Sequence, residues 1–184
     1  MAKWGSVDFQ SLVDLRDRLE AAEKRSGDLC EKCAKELAAR LLRKVIKLTP
    51  VGKVPKLGRR TTTRTGTGGK KYKLLTKGGD IYERFWAGYS GGELRRSWYS
   101  TKVRKVGDAY EITVYNNKEY AVYVEYGHRQ QPGRYVPALG KRLVKSWVEG
   151  KYMLTKSVLE LEKQAPAILA KMTSQFLEEM LNGK

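Results

Sequence analysis

Three short stretches of the chain carry residue types that could do chemistry. Gly88-Tyr89-Ser90-Gly91-Gly92 fits the Gly-x-Ser-x-Gly spacing that lifts a nucleophilic serine above a sheet, and Asp108 and His128 follow in the order of a hydrolase triad. Cys30 and Cys33 form a Cys-x-x-Cys, a spacing used for metal ligation and for dithiol redox chemistry. Gly66-Thr67-Gly68-Gly69-Lys70-Lys71 has the glycine and lysine content of a loop that cradles phosphates.

Each of these needs a scaffold to position it. A serine elbow requires apolar parallel strands alternating with helices, and at most four segments of this chain read as strands, so the glycines are better read as a turn launching a strand. Zinc needs about four ligands, and His128 is the only histidine. A redox pair normally opens a helix just after a strand, whereas Cys30 and Cys33 sit inside a helical pattern beside Leu29, Ala34 and Leu37, where core packing accounts for them. The phosphate loop fails on spacing, because Arg64 stands where its first glycine belongs and Lys70 is followed by lysine instead of Ser or Thr. No catalytic residue, metal site or cofactor is assigned. His128 is read as structural or as part of an interface.

Charge is the stronger signal. The chain has 184 residues, 41% hydrophobic and 31% charged, which suits a single domain with a real core, but its net charge is +17. The surplus is central. Residues 1–36 carry eight acidic and seven basic side chains, and residues 158–184 carry four and three. Residues 52–77 carry nine basic side chains and no acid, and residues 127–157 carry seven basic against one acidic. Cations held this close repel one another unless a polyanion relieves the field, and nucleic acid is the first candidate. No apolar run approaches the ~18 residues that cross a bilayer, and no signal-like segment opens the chain, so a soluble, cytoplasmic chain with no membrane partner is expected.

Periodicity predicts the frame. Ser6 or Asp8 can cap a helix with Phe9, Leu12, Leu15, Leu19 and Ala22 along one face; Ser26-Gly27-Asp28 reads as a break. A second helix follows from about Leu29 to Leu48, stopped by Thr49-Pro50-Val51-Gly52. Its cations Arg40, Arg43, Lys44 and Lys47 suit a solvated helix end or part of a DNA-facing surface. Residues 52–90 are rich in Gly, Thr, Lys and Arg, a basic flexible arm or a long hairpin. A β-hairpin is predicted over residues 94–116, turning at Gly107-Asp108, with Arg95, Arg96, Lys102, Arg104 and Lys105 either facing DNA or guarding an edge.

Residues 119–129, Glu-Tyr-Ala-Val-Tyr-Val-Glu-Tyr-Gly-His-Arg, are the densest aromatic and apolar run, fitting helix and buried strand alike until Gly127 ends it. The run is read as a packed anchor of Tyr120, Tyr123, Val124 and Tyr126. Beyond a loop over 130–137, Leu139, Leu143, Val144 and Trp147 predict a helix over 138–148. Val158, Leu161, Ile168, Leu169, Met172, Phe176 and Met180 predict a last helical region from Tyr152 to about Leu181, bent or restarted at Pro166 and stopped by Asn182-Gly183. The fold class is therefore α+β: an N-terminal helix pair, a small antiparallel sheet, and C-terminal helices, with a long basic loop. Within one domain the parts are helical 6–48, arm 52–90, hairpin and anchor 94–127, and C-terminal helical region 138–182.

The run Tyr120-Ala121-x-Tyr123-Val124-Glu125-Tyr126-Gly127-His128-Arg129 resembles the signature of the head-tail joining proteins of long-tailed bacteriophages and their defective prophage relatives, also called neck or tail-completion proteins. Further pieces fit in order: Trp4-Gly5-x-x-Asp8-Phe9, Leu37-Ala38-x-x-Leu41-Leu42-x-x-Val45, Thr49-Pro50-Val51-Gly52, Gly91-Gly92-x-Leu94-Arg95-x-x-Trp98 and Trp147-Val148-x-Gly150-Lys151-x-Met153-Leu154. The likeness covers roughly residues 1–52 and 90–184; the link between these blocks is longer than the family pattern requires.

The resemblance implies a structural protein of the virion neck, assembled in the host cytoplasm. It implies a cyclic homo-oligomer, a hexamer ahead of a dodecamer, lying between connector proteins and the tail terminator or tube proteins, with double-stranded DNA in its channel. On the residue reading, contact to DNA or an acidic partner falls to Arg59, Arg60, Arg64, Lys70, Lys71, Lys73, Arg95, Arg96, Arg104 and Arg129. Contact between subunits falls to Tyr120, Tyr123, Val124, Tyr126, His128 and Trp147. The alternative is a free-standing nucleic-acid-binding protein that recognises no particular sequence.

Overall fold

A single helix, α1 (Gln10–Leu48), opens the computed structural model, which describes residues 10–182. Ser6, Asp8 and Phe9 of the expected first cap and Gly183 of the expected stop lie outside the described residues. The expected helix pair is one rod of 39 residues, running through Ser26-Gly27-Asp28 without a break. Two local facts remove the break. The Ser26 hydroxyl donates back to the Glu23 carbonyl at 2.7 Å, so it bonds within the helix instead of competing with it. Gly27 is there for close approach, since a Cβ on it would lie 2.9 Å from the Tyr110 hydroxyl. Pairs one turn apart, Glu31 with Lys35 at 2.5 Å and Glu36 with Arg40 at 2.6 Å, line the exposed side.

The order then runs β1 (Thr61–Thr65), β2 (Lys71–Leu75), α2 (Lys77–Phe85), α3 (Glu93–Arg96), β3 (Trp98–Ser100), β4 (Arg104–Val106), β5 (Ala109–Glu111), β6 (Val114–Asn116), α4 (Ala121–Tyr126), β7 (Gly127–Arg129), β8 (Tyr135–Val136), a 3-10 turn (Pro137–Leu139), β9 (Lys141–Arg142), β10 (Trp147–Glu149) and α5 (Met153–Asn182). This is the α+β class: a long N-terminal helix, small antiparallel sheets and a C-terminal helix. The strands form two-stranded pairs, β1 with β2, β3 with β6, β4 with β5, β7 with β10 and β8 with β9. No helix of the described residues is long and apolar enough to cross a membrane.

Two compact units emerge. One gathers α1 as far as Val45, Tyr99–Tyr115 and α5 from Thr155. In it α5 runs antiparallel to α1: Lys44 Nζ meets Glu160 Oε1 at 2.5 Å near one end, and Arg18 Nη1 donates to the Leu181 carbonyl at 2.5 Å near the other. The expected hairpin turns at Gly107-Asp108 with Arg104 opposite Glu111 and Val106 opposite Ala109, but its first strand begins at Trp98 and not at Leu94, because Leu94–Arg96 belong to α3. Its residues 100–103 and Ile112 face Glu31, Lys35, Ala38, Ala39 and Leu42 of α1 across a groove. The α5 stripe is half-buried throughout, and Pro166 lies inside one continuous helix instead of restarting it; its missing N–H leaves one carbonyl a turn earlier without its helical donor.

The other unit comprises Ile46–Trp98 and Asn116–Leu154. Its buried apolar residues are Ile81, Leu94, Trp98 and Met153. Thr49, at the end of α1, is fully buried: its hydroxyl accepts from Trp98 Nε1 at 2.8 Å, and its carbonyl accepts from Arg95 Nε at 2.9 Å and Nη2 at 2.6 Å. A guanidinium thus closes the carbonyl end of the helix. Residues 52–90, left open as arm or hairpin, contain a hairpin followed by α2, whose first turn is capped by Thr76 accepting from the Gly79 N–H at 3.1 Å.

The helix expected over 138–148 is absent. Pro137 starts a 3-10 turn that Gly140 ends in the left-handed region, at φ 61°. The chain then returns along the segment expected to be a loop: the Leu143 N–H donates to Arg134 at 2.9 Å, the Gly133 N–H to Leu143 at 2.8 Å, and the Gln130 N–H to Ser146 at 2.7 Å. Residues 127–149 are a two-stranded ribbon, because pairing with a distant partner outweighed a short helical period.

Candidate nucleic-acid interface and aromatic contact surface

The basic segment is organised by its hairpin. Four threonines and one arginine, Thr61–Thr65, pair with Lys71–Leu75 in the register Thr63 to Lys73, and the loop between closes with the Gly66 N–H donating to the Lys70 carbonyl at 2.8 Å. Every strand residue is exposed. A two-stranded hairpin with no covered face is marginal alone, and its threonines and flanking cations stand in the open. At its foot Arg60 stacks its guanidinium 3.5 Å over the Tyr82 ring, which fixes one expected contact residue in place. Arg59 offers its carbonyl to the Thr76 hydroxyl.

The other expected contact residues fall in different settings. Arg95 is turned onto Thr49, Arg96 is exposed on α3, and Arg129 stands opposite Trp147 on β7. Arg104, on the hairpin of the other unit, pairs with Glu111 at 3.5 Å. The structure brings together Arg64, Lys70, Lys71 and Lys73 on one hairpin, above Arg59 and Arg60.

The aromatic run is helix α4, which settles the choice between helix and strand, and Gly127 ends it at φ 87° and ψ 176°. That conformation favours glycine, and a Cβ there would also collide with the Val148 carbonyl. The run was expected to be packed. Instead Val122, Tyr123 and Tyr126 are 59%, 59% and 58% exposed, and Tyr120 and Trp147 just over 40%. Positions i, i+1 and i+4 place the first three on one side of the helix. Tyr123 meets the edge of His128 at 6.1 Å, and Val148 pairs with His128, next to Trp147 opposite Arg129. Tyr120 approaches Glu93, whose carboxyl is held below the usual range by a hydrogen bond and charge from Lys118; burial and then the Glu93 charge push the Tyr120 phenol up.

Sequence reading passed over Glu125. It is 5% exposed in the middle of this run, and its carboxylate accepts from the Leu154 N–H at 2.9 Å at the start of α5. An acid flanked by valine and tyrosine was the available signal. Of the residues considered for chemistry, Ser90 lies in irregular chain between α2 and α3, not in a strand-to-helix turn. Cys30 and Cys33 are free thiols within α1, and burial, then Cys30, pushes the Cys33 thiol up.

Displayed threonines, lysines and tyrosines on a small basic α+β frame define a protein suited to contact with other macromolecules. A comparison with protein families agrees: residues 14–127 match the HK97-gp10-like family, described as "Bacteriophage HK97-gp10, putative tail-component". The chain belongs to this family. With that come a structural role in the phage tail, partners among other phage proteins and a place in the virion. The match runs across the long basic segment that interrupted the resemblance seen in the sequence. No curated protein and no solved structure gave a match.

Proposed function

We propose that the chain is a neck subunit that completes the tail and joins it to the head connector, as one of a closed ring of identical copies around the DNA channel. Family membership supports the setting. The observation that carries the ring is the exposed side of α4, Val122, Tyr123 and Tyr126. Large apolar side chains displayed together mark an interaction surface, and a heterologous contact repeated by rotation closes a ring. A hexamer is the first expectation and a dodecamer the second. The ring touches connector proteins on one side and terminator or tube proteins on the other, after assembly in the host cytoplasm. The basic hairpin, with the cations beneath it, faces DNA in the channel or an acidic neighbour, through contacts that ignore sequence.

The test is the mass of the full chain in solution, with negative-stain images and antibody labelling of virions. Closed rings and label at the head-tail junction support the proposal. A monomer that binds nucleic acid tightly, with steep salt dependence and no place in the virion, replaces it with a free-standing nucleic-acid-binding protein.

A further inference from the structure

The β1–β2 hairpin has two sides of different chemistry, and its register sorts them. Residues opposite one another on an antiparallel pair point to the same side, while successive residues alternate. Thr61, Thr63, Thr65, Lys71, Lys73 and Leu75 therefore share one side. Thr62, Arg64, Tyr72 and Leu74 share the other, where the Tyr72 ring lies against Gly66 at the entrance to the loop. Leu75 sits beside Gly79 at the start of α2, which makes its end the base and leaves Thr63, Thr65, Lys71 and Lys73 towards the tip.

We infer that the lysine-threonine side binds the sugar-phosphate backbone of double-stranded DNA. The inference rests on the reading that the basic segment meets DNA, and adds the face, the form and the mode. Lys71 and Lys73 are two residues apart on β2, so their Cα atoms lie roughly 7 Å apart along the strand, with Thr63 and Thr65 opposite them on β1. Lysine and threonine are among the side chains that contact phosphate without reading bases. The ion pairs of the described residues involve neither lysine, and residues 52–77 contain no acid to form one. Both charges are free to displace counterions from a duplex. The form follows from what this side lacks. Sites for single strands stack bases on aromatic rings, and the one aromatic residue of the two strands, Tyr72, belongs to the opposite side.

The experiment titrates a labelled random-sequence duplex with the full chain over a salt series, and repeats it with the matching single strand and with phosphatidylserine-phosphatidylcholine vesicles. The wild type should prefer the duplex. Lys71→Gln with Lys73→Gln should lower the slope of log affinity against log salt by about two, about one per lysine, while Lys71→Arg with Lys73→Arg keeps it. Tyr72→Ser should change neither slope nor preference. An unchanged slope in the glutamine pair, preference for the single strand or vesicles, or loss of binding in Tyr72→Ser overturns the inference. Rings at the virion neck with an unchanged slope would sink this face assignment alone. A reduced slope in a chain that forms no ring would sink the neck reading alone.

Discussion

Glu125 reaches from the end of α4 to the start of α5, where its carboxylate accepts the Leu154 N–H at 2.9 Å. The backbone makes the same connection: the Lys151 N–H donates to Val124 at 2.8 Å and the Tyr152 N–H to Glu125 at 3.0 Å. The exposed tyrosines of α4 are thereby held on a rigid base, since the side chain between them is buried and tied to the next helix.

That tie predicts a stability cost. Glu125→Ala leaves a helix-terminal N–H beside a small cavity, and losing the acceptor of a buried donor costs about 1–3 kcal/mol. Glu125→Gln keeps a carbonyl oxygen in reach and should lose less. Urea unfolding of the three chains ranks them; an alanine variant as stable as the wild type would show that Glu125 does not hold this junction.

Gly27 offers a second test, because two effects oppose each other there. Alanine in place of a mid-helix glycine gains about 1 kcal/mol, but the new Cβ would meet the Tyr110 hydroxyl at 2.9 Å. Gly27→Ala alone should therefore gain little or lose stability. In a Tyr110→Phe background the obstacle is gone, and the same change should stabilise by about 1 kcal/mol. Thermal unfolding of the four chains gives the coupling; equal effects in both backgrounds would mean that the two residues do not touch.

These two sites also show where the sequence could be read and where it could not. The long apolar stripes of α1 and α5 repeat every three to four residues over many turns, so the helical character of both was legible, although α1 was read as two helices. So was the turn at Gly107-Asp108, because alternation on both sides points to it. Gly27 misled because its reason is a tyrosine far along the chain. Residues 138–148 misled because four apolar residues at helical spacing are a weak signal beside Pro137, Gly140 and a waiting strand partner. The site was legible in part. A run of nine cations without an acid located the basic hairpin, but composition does not say that Arg95 turns inward to Thr49 or that Arg104 has Glu111. The aromatic run was found, and its exposure was not, since a tyrosine facing a core and one facing outward have the same period.

Lys44 and Glu160 join α1 to α5, and their pair gives a dependence on pH. The Lys44 ammonium, by hydrogen bond and then by charge, holds the Glu160 carboxyl below its ordinary value of 4.5. A carboxyl lowered in the folded state stabilises the fold above its unfolded value, and this contribution disappears as pH falls through the folded value. Glu160→Gln should thus be less stable than the wild type at neutral pH, and the gap should close under acid conditions. Denaturation midpoints from about pH 7 down to about pH 3 follow it. A gap that widens on acidification would contradict the sign.

The exposed side of α4 yields the prediction that bears most directly on assembly. Val122, Tyr123 and Tyr126 make few contacts within the chain that would be lost on substitution, being 59%, 59% and 58% exposed. Placing charge on them should leave the fold intact, because surface changes usually shift stability by no more than about 0.5 kcal/mol. In a subunit contact the same charges would be buried without partners, which costs several kcal/mol at each repeat of the ring. Tyr123→Glu with Tyr126→Glu should therefore keep the circular dichroism and melting temperature of the wild type while the sedimenting species falls to a monomer. A doubly substituted chain that still sediments as a ring would place the subunit contact elsewhere, and one that loses its fold along with its mass would show that these tyrosines are held by their own chain.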